Sequence, residues 1–438
     1  MLVSAYFAQA AEVAMATVTR SLSGTGPSTQ SQRQPASPST WARSSIPPTA
    51  STKREGASST TPATPTSATK GQEGAADQSS TGATTATTPP RSPRSSSEAA
   101  FRQVRALEEQ VKTDGACTLP GVSIAYELFM PIMMRAVARG YVRQEHADFV
   151  ANGLRFGFDL GVDVSKLRGR RLFRNYPTAL EARAAVTKAT RARVEQGKSL
   201  QLFPFRAEDR AMLDRWPSWR IFPMGAVPKP MEPGEMRPFS DHSKTGMKDA
   251  TDLELFRHTL TALKDIARFL KHMFYMRVSD VDAAFPLLPI APRLWRFMMF
   301  IWYDVQPGDE ASMLTWLYMH VCGDFGSAGL PGTWKIFFTD VVMGMARSEM
   351  VLTLEAPIYV DDISLIGELQ RLVDSEGAAL TAFLRKLGIF IKEIKDRAAA
   401  QVQLALGFWW DSVNRTRTLS ERKQQEYVAM LREFETRR

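Results

Sequence analysis

Asp361 and Asp362 stand side by side in PIYVDDISLIG (357–367), with a short β-prone apolar run on each side. Two such runs separated by two residues form a β-hairpin pattern. Tight hairpin turns favour Asn-Gly or Asp-Gly because their backbone needs positive φ. Asp-Asp meets that need poorly, so the pair is either a solvated turn or a way of presenting two carboxylates. Presented carboxylates can bind hard divalent cations such as Mg²⁺, which take oxygen ligands. Two adjacent acids make an incomplete site, so this reading requires a further Asp at the end of another β-like segment. FYMRVSDVDAAFPLLPI (274–290) supplies it. Phe274, Met276 and Val278 alternate as a half-buried strand should, and the strand runs into Asp280 and Asp282. Asp280 lies 81 positions before Asp361 (361 − 280). Carboxylates on neighbouring strands can hold two cations about 3.5–4 Å apart, the arrangement that stabilises both oxygens of an in-line phosphoryl displacement.

The elements that must position these acids belong to a chain of 438 residues, long enough for two or three domains. Hydrophobic residues make up 44%, so most of it can build a core. The formal net charge of +9 suits a polyanionic partner. Cys117 and Cys322 cannot form a disulfide framework and have no metal-ligand spacing, which fits an intracellular, cytoplasmic or nuclear location. No apolar run reaches the 18 or so residues of a membrane helix. Residues 1 to 98 are dominated by Ser, Thr, Pro and Ala and read as a disordered tail. Residues 99–200 read as a mainly helical, basic lead-in, in which GVSIAYELFMPIMMRAVARGYV (121–142) is a buried helix interrupted near Pro131. The stretch 166–198 carries ten Lys and Arg residues, from Lys166 to Lys198, either as a solvated helix face or as a phosphate-contacting surface. Short strands, helices and turn signals from about Trp216 predict an α+β fold. The five histidines are scattered and read as structural. There is no Gly-rich phosphate loop, nucleophile elbow or His pair at metal spacing.

With these motifs in view, the sequence resembles the reverse transcriptases. YVDD after an apolar strand is similar to their central motif, and SDVDAAFPLLPI to their first palm motif. Between them, GDFGSAGLPGTWKIFFTDVV (323–342) resembles a Gly-containing loop followed by an aromatic-bearing helix. GAVPKPMEPGEMRPFSDHSK (225–244) looks like the fingers hairpin, and LRKLGIFIKEIK (384–395) and LALGFWWDS (404–412) look like the motifs that close the palm and grip the primer. Six motifs in the family's order cover about Pro223 to Ser412. Upstream, ANGLRFGFDLGVDV, RNYPTALEARAAV and GKSLQLFPF resemble the lead-in of DIRS-like and related retrotransposon polymerases.

The resemblance implies a right-hand palm, an antiparallel sheet with flanking helices, together with fingers over 201–412. It implies a partial thumb or connection helix over 413–438 and a fragment of a retroelement polyprotein. Two Mg²⁺ or Mn²⁺ ions would be held by Asp280, Asp361 and Asp362, with the Val281 carbonyl as a further ligand. Lys229 and Arg237 would grip the incoming triphosphate, with Lys395 near it. Phe285 would be a steric gate against a ribose 2′-OH, and Gly326 would let the backbone approach the nucleotide. The implied partners are deoxynucleoside triphosphates and a primer on an RNA or DNA template, with no membrane. Ala283 stands where an acid is common, and Gly329-Leu330 where Ser-Ala is common. Two other readings remain open from the sequence: a catalytically silent nucleic-acid-binding protein using the 166–198 stretch, and an RNA-dependent RNA polymerase, against which Phe285 argues.

Overall fold

A computed structural model describes residues 93–229, 234–256, 263–305 and 313–436. All of them belong to one compact unit. The expected tail over 1–98 lies outside the described residues apart from 93–98, and His258 lies outside them too. The chain is already helical at Pro93, inside the stretch expected to be tail: α1 spans Pro93–Thr113. Helices α2 (Tyr126–Ala138) and α3 (Gln144–Phe156) follow. In α2 the buried residues Phe129, Ile132, Met133 and Ala136 fall at spacings of three and one, a single helical face. Pro131 sits on the exposed face, so the helix runs through it instead of breaking as expected. Losing one N–H costs least where water can satisfy the stranded carbonyl.

Strand β1 (Arg170–Leu172), helix α4 (Arg183–Glu195) and strands β2 (Ser199–Pro204) and β3 (Trp219–Ile221) lead to a hairpin, β4 (Met224–Pro228) with β5 (Met236–Ser240). Strands β6 (Tyr275–Asp280), β7 (Met299–Tyr303) and β8 (Thr315–His320) come next. A helical run, α5, comprises Leu330–Trp334, a π-helical stretch Lys335–Val342, and Met343–Ser348. Then follow β9 (Ile358–Tyr359), β10 (Asp362–Gly367), helix α6 (Gln370–Lys386), strands β11 (Arg397–Ala400), β12 (Val402–Ala405), β13 (Phe408–Asp411) and β14 (Thr416–Leu419), and helix α7 (Glu421–Thr436). The segment 413–438, expected as a partial thumb or connection helix, thus opens with a strand paired to β13 before α7 begins.

The architecture is α+β. A four-stranded antiparallel sheet has the order β11-β6-β10-β9. A five-stranded sheet, β1-β3-β7-β8-β2, contains two parallel pairings, β1 with β3 and β3 with β7. It draws β1 from the lead-in and β3, β7 and β8 from beyond residue 200, and β2 itself crosses residue 200, so the sheet spans the boundary read from the sequence. α6 buries Val373, Gly377, Leu380 and Leu384 against β6 and β10. Arg277 of β6 lies across Gly377, where a Cβ would meet its side chain at 2.4 Å, and reaches Asp374 and Asp396 at 3.2 and 2.7 Å. α5 runs through the largest core cluster, where Phe337 stacks on Phe129. Among the described residues no helix is long and apolar enough to cross a membrane.

Candidate active site

The antiparallel pairing of β6 with β10 places Asp362 directly opposite Asp280. The Val281 N–H donates to the Asp361 carbonyl at 2.9 Å, locking the end of β6 to the β9–β10 turn. Three acids separated by 81 positions therefore meet at one end of one sheet. The turn residues are Val360 and Asp361, not Asp361 and Asp362: Tyr359 pairs with Asp362, which is the first residue of β10. Val360 takes the left-handed conformation such a turn needs, with φ 57°. A β-branched residue is strained there. The strain is held by Trp334 of α5, whose buried indole N–H donates to the Val360 carbonyl at 2.7 Å.

Asp280 is 2% exposed, and Asp361 and Asp362 are half-buried. Burial, then the charges of Asp361 and Asp280, push the Asp362 carboxyl up to about 7. Burial and Asp280 raise Asp361 as well, with Lys395 and Lys392 opposing. The crowding of like charges at a dry strand end is the common cause.

Two lysines answer it. Lys395 Nζ donates to Asp280 Oδ2 at 2.5 Å, and Lys392 Nζ lies 3.2 Å from Asp280 Oδ1 and 3.8 Å from Asp282 Oδ1. Burial lowers the affinity of Lys395 for its proton, but its bond to Asp280 and the acids around it raise it above the usual lysine value. Both lysines come from one short segment, Lys392 from its extended start and Lys395 from the 3-10 turn Glu393–Lys395 that follows. The Asp282 N–H donates to Phe390 and the Lys392 N–H to Asp280, bracketing a bridge between Val281 and Ile391. The sequence reading chose Lys395 and passed over Lys392, three residues earlier in the same motif.

As the side chains stand, no set of three or more His, Cys, Asp or Glu among the described residues is arranged as a metal cage. The donor chemistry nonetheless fits hard divalent cations: all donors are oxygen, and acids that hold protons because they repel one another hold a cation for the same reason.

The other expected residues are distributed differently. Lys229 directly follows β4, where its N–H donates to the Glu235 carbonyl and its Nζ lies 3.6 Å from Glu235 Oε2. Arg237 is exposed on β5, paired with Val227. Both therefore ride on the hairpin and not on the sheet of the acids. Phe285 is 5% exposed, its ring 5.0 Å from that of Phe325, which is 47% exposed. The aromatic surface open at this point is Phe325. Gly326 has φ 110°, and a Cβ there would lie 2.2 Å from the Ser240 carbonyl oxygen. The backbone that needs this glycine is thus that of the hairpin's end.

The basic stretch divides in two. Lys166, Arg168, Arg171 and Arg174 are exposed beside β1, an edge strand. Arg191 and Arg193 are turned inward, donating to the Val305 and Gly323 carbonyls. A cavity of about 220 Å³ between Phe101, Trp216 and Arg296 lies apart from all the acidic residues of the site.

No family model and no curated protein matches the sequence. Among solved structures, the chain is similar to a foamy viral protease-reverse transcriptase in complex with double-stranded DNA, with 15% identity and a TM-score of 0.44 over 59% of this chain and 38% of that one. It is similar also to the prototype foamy virus protease-reverse transcriptase, with 17% identity and a TM-score of 0.39 over 58% and 28%. The chain spans well under two thirds of either neighbour. Likenesses this loose do not bear on what the chain does.

Proposed function

We propose that this chain is an RNA-directed DNA polymerase of reverse-transcriptase type, from a retrotransposon related to the DIRS group. The observation that carries the reading is the placement of Asp280, Asp361 and Asp362 at one end of two paired antiparallel strands, in a chain whose six motifs follow that family's order. Asp280, Asp361 and Asp362, with the Val281 carbonyl, would hold two Mg²⁺ or Mn²⁺ ions. When bound, these supply Lewis-acid activation of the attacking hydroxyl and charge neutralisation at the leaving phosphate. The protein's own residues do the rest. The Trp334–Val360 bond and the Val281–Asp361 bond hold the carboxylates against their mutual repulsion. Lys395 and Lys392, released from Asp280, are placed to take phosphate oxygens. Arg237 and Lys229 on the hairpin suit the same anion, Arg through its planar fork. The Phe325–Phe285 pair forms an aromatic wall suited to a deoxyribose.

Primer extension tests this reading, on RNA and DNA templates with dNTPs and Mg²⁺ or Mn²⁺, beside an Asp361→Asn control. Extension lost in the control is the expected result. No extension by the unaltered protein under any of these conditions sinks the reading. The second reading, a silent nucleic-acid-binding protein, is favoured by the exposed cationic row Lys166, Arg168, Arg171 and Arg174. It predicts salt-sensitive binding that Asp361→Asn leaves unchanged.

A further inference from the structure

Apart from the acidic site there is a second polar cluster, buried and unused by the chemistry above. Asp324, 8% exposed, stands four residues after His320 at the end of β8. Arg193 of α4 reaches it, with Nη1 3.2 Å from Asp324 Oδ1. The same guanidinium donates through Nη2 to the Gly323 carbonyl at 3.0 Å and through Nε to Ser199 Oγ at 3.3 Å. His320 Nε2 lies 3.4 Å and His242 Nε2 3.6 Å from Asp324 Oδ2. Ser199 Oγ is 2.7 Å from His320 Nδ1. With its hydroxyl donating, Nδ1 accepts and the Nε2–H of a neutral His320 faces the carboxylate. Burial pushes His320 down to about 4, so it is neutral at ordinary pH. Burial works against the Asp324 charge, yet His320 and Arg193 hold its carboxyl well below the usual range. The core of the cluster is therefore one arginine–carboxylate pair capped by the neutral His320 and by the His242 ring, which Phe222 and Phe300 cover.

A serine, histidine and aspartate in series could suggest a nucleophile. Ser199, His320 and His242 are each at most 2% exposed, so no substrate reaches them. A buried ion pair is also weak evidence of a stabilising role, since apolar residues of the same volume often serve as well. What it can do is fix a register. The segments joined here are α4, the ends of β2 and β8, the chain just beyond β5, and the loop carrying Phe325 and Gly326. That loop is tightly fitted elsewhere. A Cβ at Gly323 would lie 2.4 Å from the Phe285 carbonyl oxygen, and one at Gly326 would lie 2.2 Å from that of Ser240. His242 is two residues beyond Ser240, so the cluster and the Gly326 contact clamp the same hairpin root from two sides.

We propose that Asp324 is a positioning residue: through Arg193, His242 and His320 it locks the Phe325–Gly326 loop to the root of the β4–β5 hairpin, and so sets how tightly the incoming nucleotide is held. This role rests on the polymerase reading. Phe325 belongs to the loop and Lys229 and Arg237 to the hairpin, so one network aligns the aromatic wall with the triphosphate grip. The bond-making acids lie on a different sheet and are untouched by it.

The test uses the full chain with Asp324→Asn and the conservative variants Asp324→Glu and Arg193→Lys. Two quantities are measured: amide hydrogen exchange over 236–242 and 323–330 without nucleotide, and KM and kcat for dNTP. Asp324→Asn should speed exchange in both segments and raise KM about tenfold with kcat within about twofold, the pattern of lost ground-state holding. Asp324→Glu should restore part of the KM, and Arg193→Lys, which keeps the charge but loses the Gly323 bond, should fall between. If Asp324→Asn does not fold, Arg193→Lys carries the measurement. Unchanged exchange in both segments overturns the proposal, as does a fall in kcat with KM unmoved. If the unaltered chain extends no primer, the polymerase reading fails. The exchange data then decide by themselves whether Asp324 locks loop to hairpin.

Discussion

Replacing Asp362 by Asn should stabilise the cation-free protein at neutral and alkaline pH. The Asp362 carboxyl titrates near 7 in the folded chain against an ordinary 3.8. Between those values the folded state binds the extra proton, so stability falls as pH rises from about 4 to about 7 and is level above that. That interval corresponds to about 4 kcal/mol at about 1.4 kcal/mol per pH unit. Asp362 is half-buried and its shift is shared between burial and the charges of Asp361 and Asp280, so about 2 kcal/mol is the realistic share. Asn keeps the shape and removes the charge. The variant should therefore melt about 4 °C above the unaltered protein at pH 8, since a domain of this size gains about 2 °C per kcal/mol. The two should melt together at pH 4. The assay is thermal unfolding across pH in a chelator. Adding Mg²⁺ should then stabilise the unaltered protein more than the variant, reversing part of the gap. Equal melting at pH 8, or a gap that persists at pH 4, would refute the claim that crowded carboxylates are the strained feature of this site.

Gly326→Ala places a Cβ against the Ser240 carbonyl in a left-handed backbone, and should cost about 3 kcal/mol in denaturant unfolding. Wild-type stability would show that the loop is not pinned there. Trp334→Phe removes the donor that holds the Val360 turn, and should cost about 2 kcal/mol and at least about tenfold in primer extension. Activity equal to the unaltered chain would mean that the turn keeps its geometry unaided. The double variant Arg171→Gln with Arg174→Gln should flatten the dependence of log Kd on log salt by about 2 for nucleic acid, if both contact phosphates. An unchanged slope would put the polyanion elsewhere.

The acids of the site were legible in the sequence because strand alternation and local spacing are local properties. The run through Met276 to Asp280 and the apolar flanks of Asp361 specify strands whatever the rest of the chain does. Their meeting could be inferred from the need for a third carboxylate, and the register of β6 on β10 fulfils it. The left-handed residue of the turn was not legible. Val360 has a poor intrinsic preference for that conformation and adopts it because Trp334, 26 positions away, supplies a bond. Pro131 was misread as a break because its exposure, which makes it tolerable, depends on what the other face of α2 packs against. The strand over 416–419 escaped for a similar reason: Thr416 to Leu419 pair with β13, and isolated periodicity cannot register a partner strand.

By itself, the sequence determined which residues can bear charge at strand ends, the order of the motifs, the α+β class and the chain's net positive charge. The tertiary structure alone decided that Lys392 joins Lys395 on Asp280, that Phe325 covers Phe285, and that Arg193, His242 and His320 converge on Asp324. These contacts join residues from distant segments, and a linear pattern carries no trace of them. They arise because burying a charge is tolerable only beside a partner, and which partner arrives is settled by how the sheets and helices pack.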